Sequence, residues 1–292
     1  MIMPVAIITG ASKGLGRALA RALAARGWDL VVDARSAGPL QEAARELRGS
    51  GGRVVALAGD VTDGGHRAAL VAAAAELGGL DLLVNNASAL GAEPLVRLAE
   101  HPLDGLRRAL EVNVVAPLGL IQLALPLLRN STDGSYLSSY EGEAPYTGEA
   151  PSGPPDGGSE TYEAHTTSGN SHNSYLSDST PYAGVGGAVL CLSSDAAVEA
   201  YPTWGGYGAS KAALDQLSAV LAVEEPGLRV WWVDPGDMRT ELYAAAVPDD
   251  DDSGRPLPGT VVPALLRLLD GAAPSGRYPA AAAAPAGTGS AR

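Results

Sequence analysis

The stretch that decides the fold is Val5-Ala6-Ile7-Ile8-Thr9-Gly10-Ala11-Ser12-Lys13-Gly14-Leu15-Gly16. It joins a short apolar run to a glycine-rich turn, and an Ala/Arg/Leu-rich helical stretch, Arg17–Arg26, follows. Continuous apolar runs are typical of parallel strands that are buried on both faces. A glycine turn between strand and helix lets backbone amides approach a pyrophosphate at the positive helix N-terminus. A glycine turn without a ligand is the simpler alternative.

The same strand-and-helix alternation continues along the chain. Helical stretches such as Leu40–Arg48 separate the short apolar runs, which is the βαβ pattern of a doubly wound sheet. We therefore expect an α/β fold, a Rossmann-like three-layer αβα domain over residues 1–292. The predicted strands are Val5–Thr9, Leu30–Asp33, Val54–Ala58, Leu80–Asn85, Ala188–Ser193 and Leu228–Val233.

Composition narrows the class of protein. The chain has 292 residues, 46% of them hydrophobic, and a net charge of −13. Excess negative charge argues against a nucleic-acid or anionic-membrane surface. A single cysteine, Cys191, fits a reducing cytoplasm. We see no signal peptide, and no apolar run approaches membrane-spanning length.

Residues 130–184 break the alternation. They contain 11 Ser, 8 Gly, 6 Tyr and eight carboxylates, but no Lys or Arg. The segment falls between the predicted helix Pro117–Arg129 and the strand at Ala188, so it should leave the amino edge of the sheet, away from a cleft at the carboxyl ends. It is either an oligomerisation or partner-binding element or a tolerated surface loop; a lid over the site is a third choice. The Ala/Pro/Gly-rich stretch 279–292 predicts a flexible tail.

Two lysines stand among eighteen arginines. Lys13 lies in the glycine turn, and Lys211 follows Tyr207 by four positions at the start of a helical stretch, Ala212–Glu224. Residues four apart share one face of a helix. An ammonium beside a phenol favours the phenolate, so the pair can exchange a proton near neutral pH. Tyr-x-x-x-Lys alone is a weak pattern, and a surface pair would show the same spacing.

Taken together, the motifs resemble the short-chain dehydrogenase/reductase family in its ordinary short type. The resemblance covers about residues 4–129 and 185–245, with Ser88 standing where glycine is usual. The motifs, in family order, are Gly10-Ala-Ser-Lys-Gly-Leu-Gly16, Asp60-Val61, Asn85-Asn86-Ala87-Ser88, Asn113, Ser193-Ser194, Tyr207-Gly-Ala-Ser-Lys211 and Pro235-Gly236.

The resemblance implies a role for each matching position. Tyr207 would be the general acid or base, and Lys211 would hold the nicotinamide ribose and lower the pKa of Tyr207. Ser194 would polarise the substrate oxygen, with Ser193 on the other face of the strand end, and Asn113 would hold a water that links Lys211 to solvent. Cofactor contacts would come from Gly10, Ser12, Lys13, Gly14, Leu15, Gly16, Arg35, Asp60, Val61, Asn86, Ala87, Tyr207, Lys211, Pro235, Gly236, Met238 and Thr240.

Charged residues in the glycine turn and at the end of the second strand indicate whether the cofactor is NADP or NAD. Lys13 and Arg35 would face the adenosine ribose, where a 2′-phosphate needs cations. Asp33 would suit the ribose hydroxyl of NAD, but by the family pattern the discriminating acid falls at Ala34. The sequence thus favours NADP over NAD.

We therefore expect an NADPH-dependent oxidoreductase that reduces a ketone or aldehyde, with no metal. Two alternatives remain: an NAD-linked alcohol dehydrogenase, or a nucleotide-binding scaffold that uses the insertion as an interaction surface. The family implies a homo-oligomer, a dimer or tetramer, with contacts through the helices at Pro117–Arg129 and Ala212–Glu224. Ser88, Tyr201, Trp204 and Glu241–Val247 would line an apolar substrate pocket.

Overall fold

A computed structural model describes residues 3–131, 186–271 and 273–280. These residues form seven strands and eight α-helices. The strands are β1 (Val5–Ile8), β2 (Asp29–Ala34), β3 (Val54–Ala58), β4 (Leu82–Asn85), β5 (Ala188–Leu192), β6 (Arg229–Asp234) and β7 (Gly276–Pro279). The helices are α1 (Gly14–Ala25), α2 (Ala37–Leu47), α3 (Gly64–Leu77), α4 (Leu103–Leu110), α5 (Ala116–Arg129), α6 (Gly205–Glu224), α7 (Glu241–Ala246) and α8 (Val262–Asp270).

All seven strands are parallel, in the order β3-β2-β1-β4-β5-β6-β7. This confirms the doubly wound α/β fold. The chain reverses its direction of growth between β1 and β4, and the crevice at that switch point is where such sheets bind ligands.

Helices cover both faces of the sheet, because successive strand residues point to opposite sides. Ile8 packs into the core under α1 and α8, whereas its neighbour Ile7 packs into the core under α3, α5 and α6. Both side chains are fully buried. A strand buried on both faces has no polar side, which explains the unbroken apolar run Val5–Ile8.

Strand β7 and the start of the tail depart from expectation. Pro279 pairs in register with Asp234, and Ala280 is 6% exposed, so the flexible tail does not begin at residue 279. Residues 281–292 lie outside the described residues.

The insertion has a later start than residue 130. Asn130 caps the end of α5, and the buried Ser131 donates through Oγ to Asp81 Oδ1 at 2.7 Å. At the other end, the amide of Ala188 donates to the Asp81 carbonyl at 2.8 Å. The connection therefore leaves and re-enters at the amino edge of the sheet, and residues 132–185 lie outside the described residues.

Among the described residues, one continuous helical stretch, Leu103–Arg129, is 27 residues long with a hydropathy of 1.6. By length and composition alone it could cross a membrane, a test that the core helix of a soluble protein also passes. Its second half supplies core residues: Leu120, Ile121 and Leu128 are at most 5% exposed and pack in the core beneath β1 and β4.

Candidate active site

A cleft of about 760 Å³ opens at the switch point of the sheet. Its walls come from the glycine turn, the ends of β2 to β5, the first turns of α6, and the segment after β6. The predicted residues that line it are Gly10, Ser12, Lys13, Gly14, Leu15, Arg35, Asp60, Val61, Asn86, Ala87, Tyr207, Lys211, Pro235, Met238 and Thr240. Gly16, Asn113, Ser194 and Gly236 do not line it.

The glycine turn needs glycine for two different reasons. Gly10 and Gly14 have φ angles of 66° and 58°, in the left-handed region that L side chains avoid. At Gly16 the constraint is space: a Cβ there would lie 2.4 Å from Asn86 Nδ2 and 2.7 Å from the Gly10 carbonyl oxygen. Gly16 therefore shapes the turn from behind, although it does not line the cleft.

Asn86 and Thr9 join the ends of β1 and β4. Asn86 donates through Nδ2 to the carbonyls of Thr9 and Gly10 at 2.7 and 3.2 Å. Thr9 Oγ1 accepts from the amides of Asn86 and Ala87 at 2.9 and 3.0 Å. These bonds fix the cleft floor before any ligand arrives.

Four cations line the end of the cleft that is formed by the glycine turn, α1 and the segment after β2: Lys13, Arg17, Arg21 and Arg35. Arg17 and Arg21 each pair with Glu46 at 2.9 Å, and Lys13 pairs with Glu241 at the start of α7. Arg35 is exposed and forms no salt bridge with another described residue. Of these four cations, Arg35 is therefore the one that no carboxylate of the described residues holds in a salt bridge.

Two carboxylates at this end are already engaged by the protein. Asp33 accepts through Oδ1 from the Gly10 amide at 2.7 Å, and its Oδ2 lies 3.0 Å from His66 Nε2. Asp60 accepts from the amide of Thr62 at 3.0 Å, and this hydrogen bond is the main cause that lowers the pKa of Asp60. Asp33 and the following Ala34 both line the cleft.

Tyr207 and Lys211 lie at the opposite end, on the first two turns of α6. Lys211 Nζ lies 5.5 Å from the centre of the Tyr207 ring and donates to the Leu192 carbonyl at 2.7 Å. Burial raises the pKa of Tyr207 to about 12 and lowers the pKa of Lys211 to about 8. In the free protein, desolvation of the phenol is the largest cause, so the net shift of the Tyr207 pKa is upward.

Asn113 lies behind the wall, in a π-helical turn, Glu111–Val115, that joins α4 to α5. Its Oδ1 accepts from the Ala89 amide at 2.8 Å, and its Nδ2 donates to Ser210 Oγ at 2.8 Å. Ser210 in turn donates to the Tyr207 carbonyl at 2.7 Å. Asn113 thus braces the first turn of α6, and π-turns often occur at functional sites.

Ser194 was expected to face the cleft and Ser193 to point away from it, but in the structure Ser193 lines the cleft and Ser194 does not. Ser193 is buried, lines the cleft, and donates through Oγ to the Ser194 carbonyl at 3.5 Å. Ser194 caps a short 3₁₀ turn, accepts from the Ala196 amide at 3.2 Å, and donates to Asp195 Oδ1 at 3.0 Å. The Ser194 hydroxyl must leave Asp195 to meet a substrate oxygen.

A small apolar cluster adjoins Tyr207. Trp204 meets the Tyr207 ring edge-to-face at 5.7 Å between centroids, and Leu242 and Val247 pack beside them. Of the predicted pocket residues, Ser88, Glu241 and Leu242 line the cleft, whereas Tyr201 is 40% exposed and donates to Glu199. In the part of the chain that the structure describes, no group of His, Cys, Asp or Glu could hold a metal.

Sequence reasoning missed several residues of the cleft wall. Arg17 and Arg21 were detectable, since with Lys13 they recur every four residues on one helix face. The segment Leu257–Gly259 was not, because only the tertiary fold brings it against α1.

Comparison with known proteins agrees with this geometry. The short chain dehydrogenase family model matches residues 4–151, just over half of the chain, and a model described as enoyl-(acyl carrier protein) reductase matches residues 159–256. The cis-4-hydroxycyclohexanecarboxylate dehydrogenase of Sinomonas cyclohexanicum is 43% identical over 111 residues, 38% of this chain and 43% of the relative. This match thus spans less than half of the relative's length. An uncharacterized oxidoreductase of Saccharomyces cerevisiae is 27% identical over a stretch that covers 82% of this chain and 72% of the yeast protein.

A solved structure repeats the fold. The alcohol dehydrogenase of the archaeon Thermococcus sibiricus, complexed with 5-hydroxy-NADP, matches with a TM-score of 0.70 and 23% identity, over 95% of each chain. The sheet order, the switch-point cleft and the family match lead to one conclusion: the chain belongs to the short-chain dehydrogenase/reductase family of oxidoreductases.

Proposed function

We propose that the protein is an NADPH-dependent oxidoreductase that reduces a ketone or aldehyde to an alcohol. One observation carries the proposal: the buried phenol of Tyr207 and the buried ammonium of Lys211 share one wall of a cleft whose other end is cationic. When bound, the cofactor supplies the hydride, and the protein supplies orientation and the proton.

Tyr207 is suited to donate that proton. Because burial raises the pKa of its phenol to about 12, Tyr207 is protonated at neutral pH. Lys211 stands close enough to stabilise the phenolate that remains after donation. Ser194, once it releases Asp195, would donate to the substrate oxygen. Asn113, acting through Ser210, would keep Tyr207 in place during the transfer.

The cleft suits NADP better than NAD. The glycine turn leaves room for a pyrophosphate at the N-terminus of α1. Arg35 is exposed beside it, and Asp33, the residue that would repel a 2′-phosphate, is turned to Gly10 and His66. The dehydrogenase of T. sibiricus carries 5-hydroxy-NADP, so a protein of this fold can hold a cofactor of that class.

Steady-state kinetics tests the cofactor. With each carbonyl substrate that the protein accepts, kcat/KM should be higher for NADPH than for NADH. Arg35→Ala should lower kcat/KM for NADPH by about tenfold and leave NADH nearly unchanged, as the loss of one phosphate contact would. Arg45→Ala, an exposed arginine of α2 that does not line the cleft, is the matched control. A clear NADH preference in the unmodified protein would favour the NAD-linked alcohol dehydrogenase instead.

Tyr207→Phe tests the chemistry. The variant should lose at least about a hundredfold in kcat, the usual range for removal of a general acid, while NADPH binding measured by fluorescence persists. Retained turnover would remove Tyr207 from the acid role. If the unmodified protein consumed no NADPH with any carbonyl compound, the result would favour the alternative that the protein is a nucleotide-binding scaffold.

Oligomerisation and location are part of the proposal. We propose a homo-oligomer through α5 and α6, because Leu118, Leu123, Val220 and Val223 of these helices are exposed apolar side chains, between 37% and 63% accessible. A cytoplasmic location fits the single, buried Cys191.

Light scattering on the full chain and on a variant lacking residues 132–184 would test both the oligomer and the role of the insertion. A partner role for the insertion would be wrong if kcat/KM changed while the molar mass did not.

A further inference from the structure

Strand β7 brings one arginine to the rear of the predicted catalytic residues. Arg277 pairs in register with Trp232 of β6. Its Nε donates to Asp215 Oδ2 at 3.0 Å, and its Nη2 donates to the Ser194 carbonyl at 2.8 Å. One guanidinium therefore joins three elements: β7, the end of β5 and helix α6.

The acceptor on α6 is a buried carboxylate. Asp215 is 8% exposed and lies one helical turn after Lys211. Its single salt bridge within the described residues is with Arg277. Removing Arg277 would therefore leave the charge of Asp215 uncompensated behind Lys211.

Several groups face Asp215 and Lys211. Asp215 pairs with Arg277 and also feels the charge of Lys211 and the Ser193 hydroxyl. Lys211 in turn lies near the Tyr207 ring and interacts electrostatically with the Cys191 thiol. Burial raises the pKa of Asp215, and the hydrogen bonds from Ser193 and Arg277 oppose that effect. The charge of Asp215 favours the ammonium form of Lys211.

We propose that Arg277 is a positioning residue of the active site, a role that rests on the function proposed above. Its guanidinium ties the main chain of Ser194 to Asp215, and so sets the position of the Ser194 hydroxyl relative to Tyr207 and Lys211. It also balances the charge of Asp215 behind Lys211. Only arginine suits this position, because its fork directs two donors at two separate acceptors, whereas lysine carries a single nitrogen.

The two-lysine composition allows a direct test that does not depend on turnover. Protein labelled with carbon-13 at lysine Cε should give two lysine signals in NMR spectra, from the exposed Lys13 and the buried Lys211. In Arg277→Gln, the unbalanced Asp215 should move the Lys211 titration midpoint to higher pH, by about half a pH unit. Asp215→Asn should move it to lower pH, and the double variant should resemble Asp215→Asn. The Lys13 signal is the internal reference.

Kinetics supplies the second measurement. Arg277→Gln and Arg277→Lys should each lower kcat by tenfold or more, since a misplacement of about 1 Å can cost a hundredfold, while KM for NADPH changes less than about twofold. Arg26→Gln is the control, because it removes a bidentate pair with Asp270, at 2.7 and 2.8 Å, near the amino edge of the sheet. It should lower the melting temperature without changing kcat.

The outcomes separate the two proposals. A Lys211 midpoint that stays fixed in Arg277→Gln, together with an unchanged kcat, would overturn the positioning role and leave Arg277 as a structural residue. A Lys211 midpoint that moves as expected in a protein that reduces no carbonyl would support the Arg277–Asp215–Lys211 coupling and reject the proposed function. If Arg277→Gln does not fold, Asp215→Asn and Arg277→Lys carry the test.

Discussion

His66 and Asp33 form a buried pair at the glycine-turn end of the cleft: their Nε2 and Oδ2 atoms are 3.0 Å apart, and their side chains are 9% and 1% exposed. The other oxygen of Asp33 accepts from the Gly10 amide. This carboxylate thus supports the glycine turn, and each of its two oxygens already has a partner within the protein.

Substitution of Asp33 should therefore affect stability more than cofactor choice. Asp33→Ala leaves the Gly10 amide and the His66 ring without partners, and should lower the free energy of unfolding by about 2–4 kcal/mol. Asp33→Asn keeps an acceptor for Gly10, and should cost about 1 kcal/mol or less with an unchanged NADPH-to-NADH ratio. Urea unfolding and steady-state kinetics measure the two effects. A large rise in NADPH preference in Asp33→Asn would show that the charge of Asp33 does oppose the phosphate.

Gly16 and Gly38 should respond oppositely to alanine. Gly16→Ala forces the Asn86 amide and the Gly10 carbonyl apart, so it should destabilise the protein by about 1–3 kcal/mol and weaken cofactor binding. Gly38, in the first turn of α2, is exposed and has nothing within 4 Å of an added Cβ. Gly38→Ala should stabilise the protein by about 0.4–1 kcal/mol. Thermal unfolding of both variants checks this; equal effects would contradict the close contact at Gly16.

Lys211→Met should abolish turnover and raise the free energy of unfolding, and the size of this rise should depend on pH. The pKa of Lys211 is lowered to about 8 in the folded protein, so the unfolded chain binds more protons between that pH and about 10.4. The contribution of Lys211 to the free energy of unfolding therefore rises with pH across that window. As pH falls, this contribution declines, and it reaches its lowest value below about pH 8. Met removes the cost of the buried ammonium but also the donor to the Leu192 carbonyl, for a net gain of about 1–2 kcal/mol at pH 7.

Urea unfolding at pH 7 and at about pH 9.5 tests this, since folded Tyr207, with its pKa raised to about 12, stays protonated at both pH values. The stability gap between Lys211→Met and the unmodified protein should narrow at the higher pH, and turnover should be lost at both. A gap that widens with pH would contradict the lowered pKa of Lys211.

Glu241 should limit the affinity for NADPH. Lys13 pairs with it across the mouth of the cleft, and both side chains are largely exposed, at 61% and 74%. An exposed pair contributes roughly 0.2–1 kcal/mol, so Glu241→Gln should lower KM for NADPH by about twofold to fivefold by freeing Lys13 for the phosphate. KM for NADH should not change, and added salt should reduce the difference. An equal gain for both cofactors would mean that Lys13 does not discriminate between them.

The strands that carry the cleft were predictable within two residues, because a strand buried on both faces has an apolar run of its own. Strand β7 was not. Gly276-Arg277-Tyr278-Pro279 has no apolar run, and a proline is tolerated there because the strand lies at the sheet edge. The missed strand carries Arg277.

The site residues divide in a similar way. Tyr207, Lys211 and the glycine turn are local motifs, and their resemblance to the family pattern predicted that they share one cleft. The direction of the Tyr207 pKa shift depends on burial, which an i, i+4 spacing does not contain. The commitment of Asp33 to His66 depends on a contact between β2 and α3, and no local pattern reports it.

The π-helical turn around Asn113 has a consequence for the whole Leu103–Arg129 rod. Such a turn holds one residue more than a regular α-helical turn, and each residue rotates the chain by about 100°. The faces of α4 and α5 are therefore offset by about 100° from those of one unbroken α-helix. Removing a single residue here would restore a regular helix and turn one of those faces toward solvent. The extra residue thus sets the rotation of α5 relative to α4. The position of Asn113 depends on the length of this turn as much as on its own side chain.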